Sequence, residues 1–195
     1  MGLLFLVWFE HRQLSFVQAE QLLENEEMIP SESRKELIAF VSDAFCHYYF
    51  KRGKLSASLQ YVQKAAKIHK VRDQWGHYAK CLLHWASILS KRGDHLEARK
   101  CLAQILKLVE EHKLEDGGAS AQKICMVAVC YHNLAIELLH LREIQDACVS
   151  SQNARRLARL SLSYSNRWLK TFDSTHKCVL AAVEAVQDDD KILAQ

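Results

Sequence analysis

Apolar side chains recur every three or four positions along most of the chain, which is the spacing of one face of an α-helix. The pattern and its interruptions predict eight helices, over residues 3–25, 33–51, 55–70, 74–92, 95–113, 119–141, 144–161 and 165–186. Gly53 and Gly93 fall between predicted helices, where glycine tolerates the positive φ of a helix end, and Asp73 is predicted to cap the start of the fourth helix. Because nearly every connection is short, consecutive helices are expected to pack antiparallel.

An internal repeat runs through this pattern. Lys-Arg-Gly occurs at 51–53 and again, 40 residues later, at 91–93, and a third copy lies 49 residues further on, where Arg142 replaces the glycine. Before each turn a large residue precedes a small one, in the pairs Phe45 with Cys46, Trp85 with Ala86, and Leu134 with Ala135. After each turn, small or apolar residues align as Ser58, Ala98 and Ala147, then as Ala65, Ile105 and Ala154. Small residues in register let neighbouring helices approach closely, so the repeats are expected to stack.

The third copy, in which Tyr131, Asn133, Leu134 and Ala135 precede a turn and then Ile144 and Ala147, resembles the tetratricopeptide repeat. The resemblance covers about residues 33–186. Its long spacings are similar to the extended repeats of kinesin light chains and of the spindle-orientation adaptor family. It implies an all-α, right-handed superhelical stack of antiparallel helix pairs; an irregular helical bundle is the alternative. We expect one domain over 1–195, with an N-terminal helix (1–32), three helix-pair repeats (33–161) and a C-terminal capping helix and tail (162–195).

The composition agrees with the all-α class. One proline and six glycines in 195 residues are too few for the turns that a β protein needs every 8–12 positions or so. A net charge of +3 does not by itself indicate a nucleic-acid or membrane surface. The seven cysteines are odd in number, form no C-x-x-C and lie inside helical patterns, which is typical of reduced thiols in a cytosolic protein.

The resemblance also implies where a partner binds, because the first helix of each tetratricopeptide pair lines a concave groove. The corresponding residues here are Asp43, His47, Phe50, Lys51, Lys80, Leu83, His84, Ser87, Lys91, Val129, His132, Asn133, Ile136, Leu139 and His140. This set of cations and apolar residues predicts a protein partner with acidic and apolar side chains. Lys51 and Lys91 are equally interpreted as charges that oppose a helix macrodipole. The carboxylate clamp for chaperone C-termini is not matched, since Asp43 and His47 stand where it has basic or amide groups.

Two other chemistries deserve comparison with a scaffold. His77, Cys81 and His84 share one helical stripe and are candidate zinc ligands, although a buried cysteine beside groove histidines is the commoner explanation. A basic segment without acids is a candidate docking patch for an acidic protein tail or, less favoured, for nucleic acid, and its alternative is a solvated face; it contains Arg155, Arg156, Arg159, Arg167 and Lys170. No phosphate-binding or catalytic motif is found, so we expect no enzyme activity, no cofactor and no small-molecule substrate.

The first residues form a dense apolar run that is too short to cross a bilayer. It lacks the basic start and cleavage site of a signal peptide. We therefore expect Leu4, Phe5, Val7 and Trp8 to contact a second copy of the chain or another subunit of a larger complex. A cytoplasmic location follows from these observations, and the resemblance to extended-repeat adaptors adds a cytoskeletal or ciliary setting.

Overall fold

The structure, a computed structural model, describes residues 31–114 and 121–193 together with Gln18 and Gln21. These residues contain seven helices: α1 (Ser31–Lys51), α2 (Leu55–Val71), α3 (Trp75–Arg92), α4 (His95–Glu110), α5 (Ala121–His140), α6 (Ile144–Ser161) and α7 (Trp168–Leu193). The all-α class and the sequential antiparallel pairs are confirmed. The predicted bounds agree to within three residues, except that α7 continues to Leu193. Apart from Gln18 and Gln21, the predicted helix over 3–25 lies outside the described residues.

The helices are short because sharp turns end them with a repeated hydrogen-bond arrangement. At the end of α1, the amide of Gly53 donates to the carbonyl of Phe50 and the amide of Lys54 donates to that of Tyr49, at 3.1 and 3.0 Å. This Schellman arrangement requires a left-handed residue, and Gly53 has a φ of 72°. The same two bonds recur at Gly93, at Arg142 (φ 63°) and at two further non-glycine residues, Asp73 and His112. Each turn reverses the chain within a few residues, so antiparallel packing follows.

One turn corrects a prediction. Asp73 is not the N-cap of α3, because its φ of 54° places it in the left-handed position after α2. The N-cap is Gln74, whose carbonyl accepts the first bond of the helix from the amide of Tyr78 at 2.9 Å. Asp tolerates the left-handed region better than most residues, and this explains why the position needs no glycine.

Backbone contacts divide the chain into two compact units, Met1–Cys81 and Leu82–Gln195, which are described separately. In the first unit α1 packs along α2. Phe45 is buried and stacks on the rings of Tyr61 and Tyr49, at centroid distances of 4.7 and 6.0 Å, and those two rings also stack on each other at 5.5 Å. Ser58 donates a hydrogen bond of 2.8 Å to the carbonyl of Cys46, so the aligned small residues join the two helices. The core of this pair is therefore aromatic, with one polar tie.

The second unit is built on small residues. Helix α5 packs on α4, α6 and α7, and α6 packs on α7. Ala128, Ala154 and Ala158 surround Phe172 of α7, and Ala147 lies with Leu138 and Val179. The alanines that the repeat predicts as contact residues are fully buried, so they do allow close approach of the helices. No helix among the described residues is both long and apolar enough to cross a bilayer.

Candidate functional site

The first helix of each pair carries a small buried residue followed by a position that is at least partly exposed: His47, Ser87 or Ile136. Cys46, Ala86 and Ala135 are at most 2% exposed, whereas His47, next to Cys46, is exposed and Ser87, next to Ala86, is half-buried. A helix that buries the small residue must direct the following side chains elsewhere, about 100° around its axis per residue. The same register in α1, α3 and α5 thus separates a packing face from an outer stripe.

The predicted groove residues differ in exposure. The exposed members are His47, Lys51, Lys80, His84, Lys91 and His140. The half-buried members are Asp43, Phe50, Leu83, Ser87, Val129, Asn133, Ile136 and Leu139. In this set the lysines are exposed and the apolar residues are partly covered.

His132 is the buried member of the set. Its ring meets that of Phe172 edge to face at 4.8 Å, and Val129 and Leu139 also pack against the clusters that join α5 to α7. Burial lowers the pKa of His132, and its Nδ1 has no hydrogen-bond partner among the described residues. His132 therefore belongs to the packing of α7 on α5, and we do not include it in the surface proposed below.

The end of α5 contributes a buried polar pair. Glu137 is 3% exposed and its Oε2 lies 2.7 Å from Nδ1 of His95, a residue of α4. The ring of His140 stacks on that of His95 at 4.0 Å, with the planes only 9° apart. One turn away Arg99 forms an ion pair with Glu143. These polar contacts fix α4 against α5 and hold the His140 ring in place at the exposed end of the stripe.

The basic segment contains paired and exposed charges. Arg155 Nε and a terminal nitrogen of Arg159 both donate to Oδ1 of Asp173 on α7, at 2.7 and 2.8 Å. Desolvation alone would raise the pKa of Asp173, but the hydrogen bond from Arg155 and the charges of both arginines lower it. Two of the five cations therefore have a carboxylate partner that lies just beyond the segment. Arg156, Arg167 and Lys170 are exposed.

A second polar cluster lies in the first unit, where three helices meet. Asp43 of α1, His69 of α2 and Cys81 of α3 place one potential ligand atom each within 4.8 Å of the other two. The Cys81 thiol donates to Oδ1 of Asp43 at 3.6 Å and is 0% exposed. Burial raises the pKa of Cys81, and the Asp43 carboxylate raises it further, so the sulfur is a neutral thiol in this state.

The turn between α2 and α3 positions His69. Its Nδ1 lies 2.7 Å from Oε1 of Gln74, and the amide of Gln74 donates to the carbonyl of His69 at 2.9 Å. Because the amide oxygen only accepts, Nδ1 of His69 is the donor in this hydrogen bond. The ring of His77 stacks on that of His69 at 5.0 Å. Desolvation lowers the pKa of His77, and the charges of His69 and Lys80 lower it further, although Asp43 and Glu36 act in the opposite direction.

No protein-family model matches the sequence. No curated protein matches it either. Several solved structures match the fold, RapI and BtubC among them. RapI, a Rap protein with tetratricopeptide repeats seen in its apo form, matches with a TM-score of 0.68 and 16% identity over 96% of this chain. BtubC (BKLC) of P. vanneervenii, a kinesin-light-chain-like tetratricopeptide protein, matches with a TM-score of 0.68 and 18% identity over 93% of this chain.

The chain has a tetratricopeptide-like fold. It spans 64% of the length of RapI and 71% of that of BtubC, and at these identities the likeness concerns the fold alone. Folds of this type are typical of protein-interaction scaffolds and are generally not catalytic. That the outer stripes line a groove stays a prediction.

Sequence reasoning missed two surface aromatic residues and two members of the polar cluster. Tyr164 and Trp168 flank the start of α7 and are 95% and 52% exposed, beside Arg167. Both rings lie within the basic segment, so exposed aromatic side chains accompany its cations. Asp43 and His69 come from other helices than Cys81, so the stripe of His77, Cys81 and His84 does not identify them. The predicted interface of Leu4, Phe5, Val7 and Trp8 lies outside the described residues.

Proposed function

We propose that this protein is a non-enzymatic interaction scaffold, which binds a partner segment with acidic and apolar side chains on the outer stripes of α3 and α5. The observation that carries the proposal is the contrast between the two faces of these helices. Ala86 and Ala135 are buried, whereas Lys91, His84 and His140 are exposed. These exposed side chains form the solvent-facing side of helices whose opposite side is close-packed, and we propose that a partner contacts this side.

The apolar part of the surface comes from Leu83 and Ile136, which are half-buried. An apolar side chain of the partner removes the remaining exposed area of such residues from water, and this contributes roughly 25 cal/mol per Å². Lys80 and Lys91 add attraction for acidic groups, mainly through the association rate. The stripe of α1, with Asp43, His47, Phe50 and Lys51, is proposed to be a similar surface of the first unit.

The test is selection of peptides from a displayed library, followed by measurement of the affinity for a selected peptide. We expect the selected peptides to combine Asp or Glu with large apolar residues. The double variant K80E/K91E on α3 is expected to weaken binding at least tenfold, while K67E/K107E, which reverses one exposed lysine each on α2 and α4, is the matched control. Equal affinity of both variants for the peptide would contradict the proposal.

We propose that the basic segment is a second binding surface, which takes an acidic protein tail. Exposed Arg156, Arg167 and Lys170 lie in the same segment as exposed Tyr164 and Trp168, so charge and aromatic contact occur together. We expect R156E/R167E/K170E to abolish binding of a poly-glutamate peptide, while Arg155 and Arg159 stay in their ion pairs with Asp173. Tighter binding of a single-stranded oligonucleotide than of the peptide, with a steep salt dependence, would instead assign the patch to nucleic acid.

We propose a cytoplasmic setting for this scaffold as part of a larger complex. A cytoskeletal or ciliary complex is supported only by the likeness to extended-repeat adaptors, which is analogy of fold. Fluorescence imaging of the tagged full-length protein tests this setting, and an even cytoplasmic distribution without enrichment on filaments or cilia would contradict the finer assignment.

A further inference from the structure

The cluster of Asp43, His69 and Cys81 combines three different donor types in a small volume. A carboxylate, an imidazole and a thiol from three helices lie within 4.8 Å of one another. Packing explains one buried cysteine, but the partly buried carboxylate beside it has a thiol as donor, and a thiol is a weak donor. A carboxylate at this position is therefore only weakly stabilised by the contact that the structure shows.

The geometry points to a metal site: we propose that Asp43, His69 and Cys81 bind one Zn²⁺ ion, with water as the fourth ligand. Zinc bonds of about 2.0–2.3 Å in a tetrahedron place ligand atoms roughly 3.5 Å apart. The Cys81 to Asp43 separation of 3.6 Å already matches this spacing. The longest separation in the cluster needs to shorten by about 1 Å, which small side-chain rotations provide.

The charges of the site are suited to a divalent ion. On binding, the Cys81 thiol releases its proton to solvent, and the S–H···O contact is replaced by bonds from zinc to sulfur and to the Asp43 oxygen. One thiolate and one carboxylate neutralise the two positive charges, so no net charge is left in a buried place. Thiolate and imidazole ligands favour zinc over Mg²⁺ and Ca²⁺, which take oxygen ligands.

The surroundings of His69 also match those of a metal ligand. Ligating histidines donate the second ring nitrogen to an oxygen that fixes the tautomer, and Gln74 Oε1 accepts from Nδ1 here. Nε2 is then the ligand atom. The ring of His77 stacks on that of His69 with the planes 19° apart, and His77 is not one of the residues whose ligand atoms converge within 4.8 Å. This geometry leaves the fourth position to water.

The test is a titration of the chelator-stripped full chain with Zn²⁺ against a chromophoric chelator. We expect one equivalent to bind, and D43N, H69Q and C81S each to reduce this to none. Gln74→Ala is expected to weaken binding roughly 10- to 100-fold, as loss of a hydrogen bond to a ligand does. H84Q and Cys130→Ser are the controls: His84 belongs only to the single-helix stripe, and Cys130 is an equally buried thiol of the second unit.

Substitution with Co²⁺ tests the thiolate ligand on the wild-type chain, which avoids reliance on variants that fold poorly. We expect a sulfur-to-cobalt charge-transfer band in the wild-type chain. The band should persist in Cys178→Ser, which removes the exposed thiol. Absence of that band, one retained equivalent in folded D43N and H69Q, or loss of binding in H84Q would overturn the proposal. The site lies in the first unit, so these results do not depend on whether the scaffold surface binds a partner.

Discussion

In the two units of the chain, different kinds of side chain pack between the helices. In the first unit, Phe45 packs against two tyrosine rings, and a carboxylate lies against a thiol. In the second unit, alanines allow the helices to approach, and the buried carboxylate of Glu137 is bonded to the imidazole of His95. A carboxylate with a strong N–H donor is part of the structure, whereas a carboxylate whose donor is a thiol is available for other chemistry. The comparison thus separates a structural polar pair from a candidate site.

The largest expected effect is the loss in the free energy of unfolding when one phenylalanine is removed from the core of each unit. Phe45→Ala removes a ring that stacks on Tyr61 and leaves a cavity, and we expect it to reduce the free energy of unfolding by roughly 4–5 kcal/mol. Phe172→Ala is expected to lose roughly 3–4 kcal/mol, because the fully buried residues of its cluster are the alanines Ala128, Ala154 and Ala158. Chemical denaturation followed by circular dichroism measures both, and a larger loss for Phe172→Ala would contradict the contrast.

The second effect concerns the two polar clusters. His95→Ala leaves Glu137 buried without its donor, and we expect a loss of about 3 kcal/mol in the free energy of unfolding. Cys81→Ala removes only a weak donor from half-buried Asp43, and without metal it should lose about 1–2 kcal/mol. Lys100→Ala, which breaks an exposed ion pair with Glu97, is the control and should change stability by less than about 0.5 kcal/mol. Similar losses for His95→Ala and Cys81→Ala would remove the distinction between the clusters.

The third effect is a pH dependence of the second unit. Because burial lowers the pKa of His132, the unfolded chain binds more protons than the folded chain between the folded pKa and the unfolded value of about 6.5. Stability is therefore complete above about pH 7 and falls as the pH decreases through that window, by at most about 1.4 kcal/mol per pH unit for one histidine.

His132→Phe keeps an aromatic ring against Phe172 and removes the titrating group, so the slope between pH 7 and pH 5 should decrease. Thermal denaturation at a series of pH values measures it. An unchanged slope in this variant would show that His132 does not contribute, and that another group, such as His176 with its lowered pKa, dominates.

The smallest expected effect on stability concerns the residues that adopt a positive φ in the turns. Arg142 adopts a φ of 63° without being glycine, so Arg142→Gly should stabilise the chain by about 0.5 kcal/mol after the entropy of glycine in the unfolded chain is included. Gly93→Ala should destabilise it by about 1 kcal/mol through backbone strain alone, since an added Cβ meets no atom within 4 Å. Opposite signs in the melting temperatures are the expected result, and equal signs would contradict the explanation of the turns.

The fold was predictable in outline because its signals are local. The helix bounds followed from apolar spacing, and Gly53, Gly93 and Arg142 marked three of the turns. Asp73 was misassigned because the residue type suits both an N-cap and a left-handed helix end, and only the backbone distinguishes the two. Tyr164 and Trp168 were overlooked since an aromatic residue at a helix boundary is as often buried as exposed.

The sequence by itself determined the helices, their order and the small residues through which they pack, because each depends on residues a few positions apart. Only the tertiary structure decided which polar groups meet: Asp43 and His69 with Cys81, Asp173 with Arg155, and His132 with Phe172. These contacts join residues that are far apart in the chain. They depend on how far each helix is rotated about its own axis. A periodic pattern shows which face of a helix is buried, but it does not show which individual side chains on that face meet.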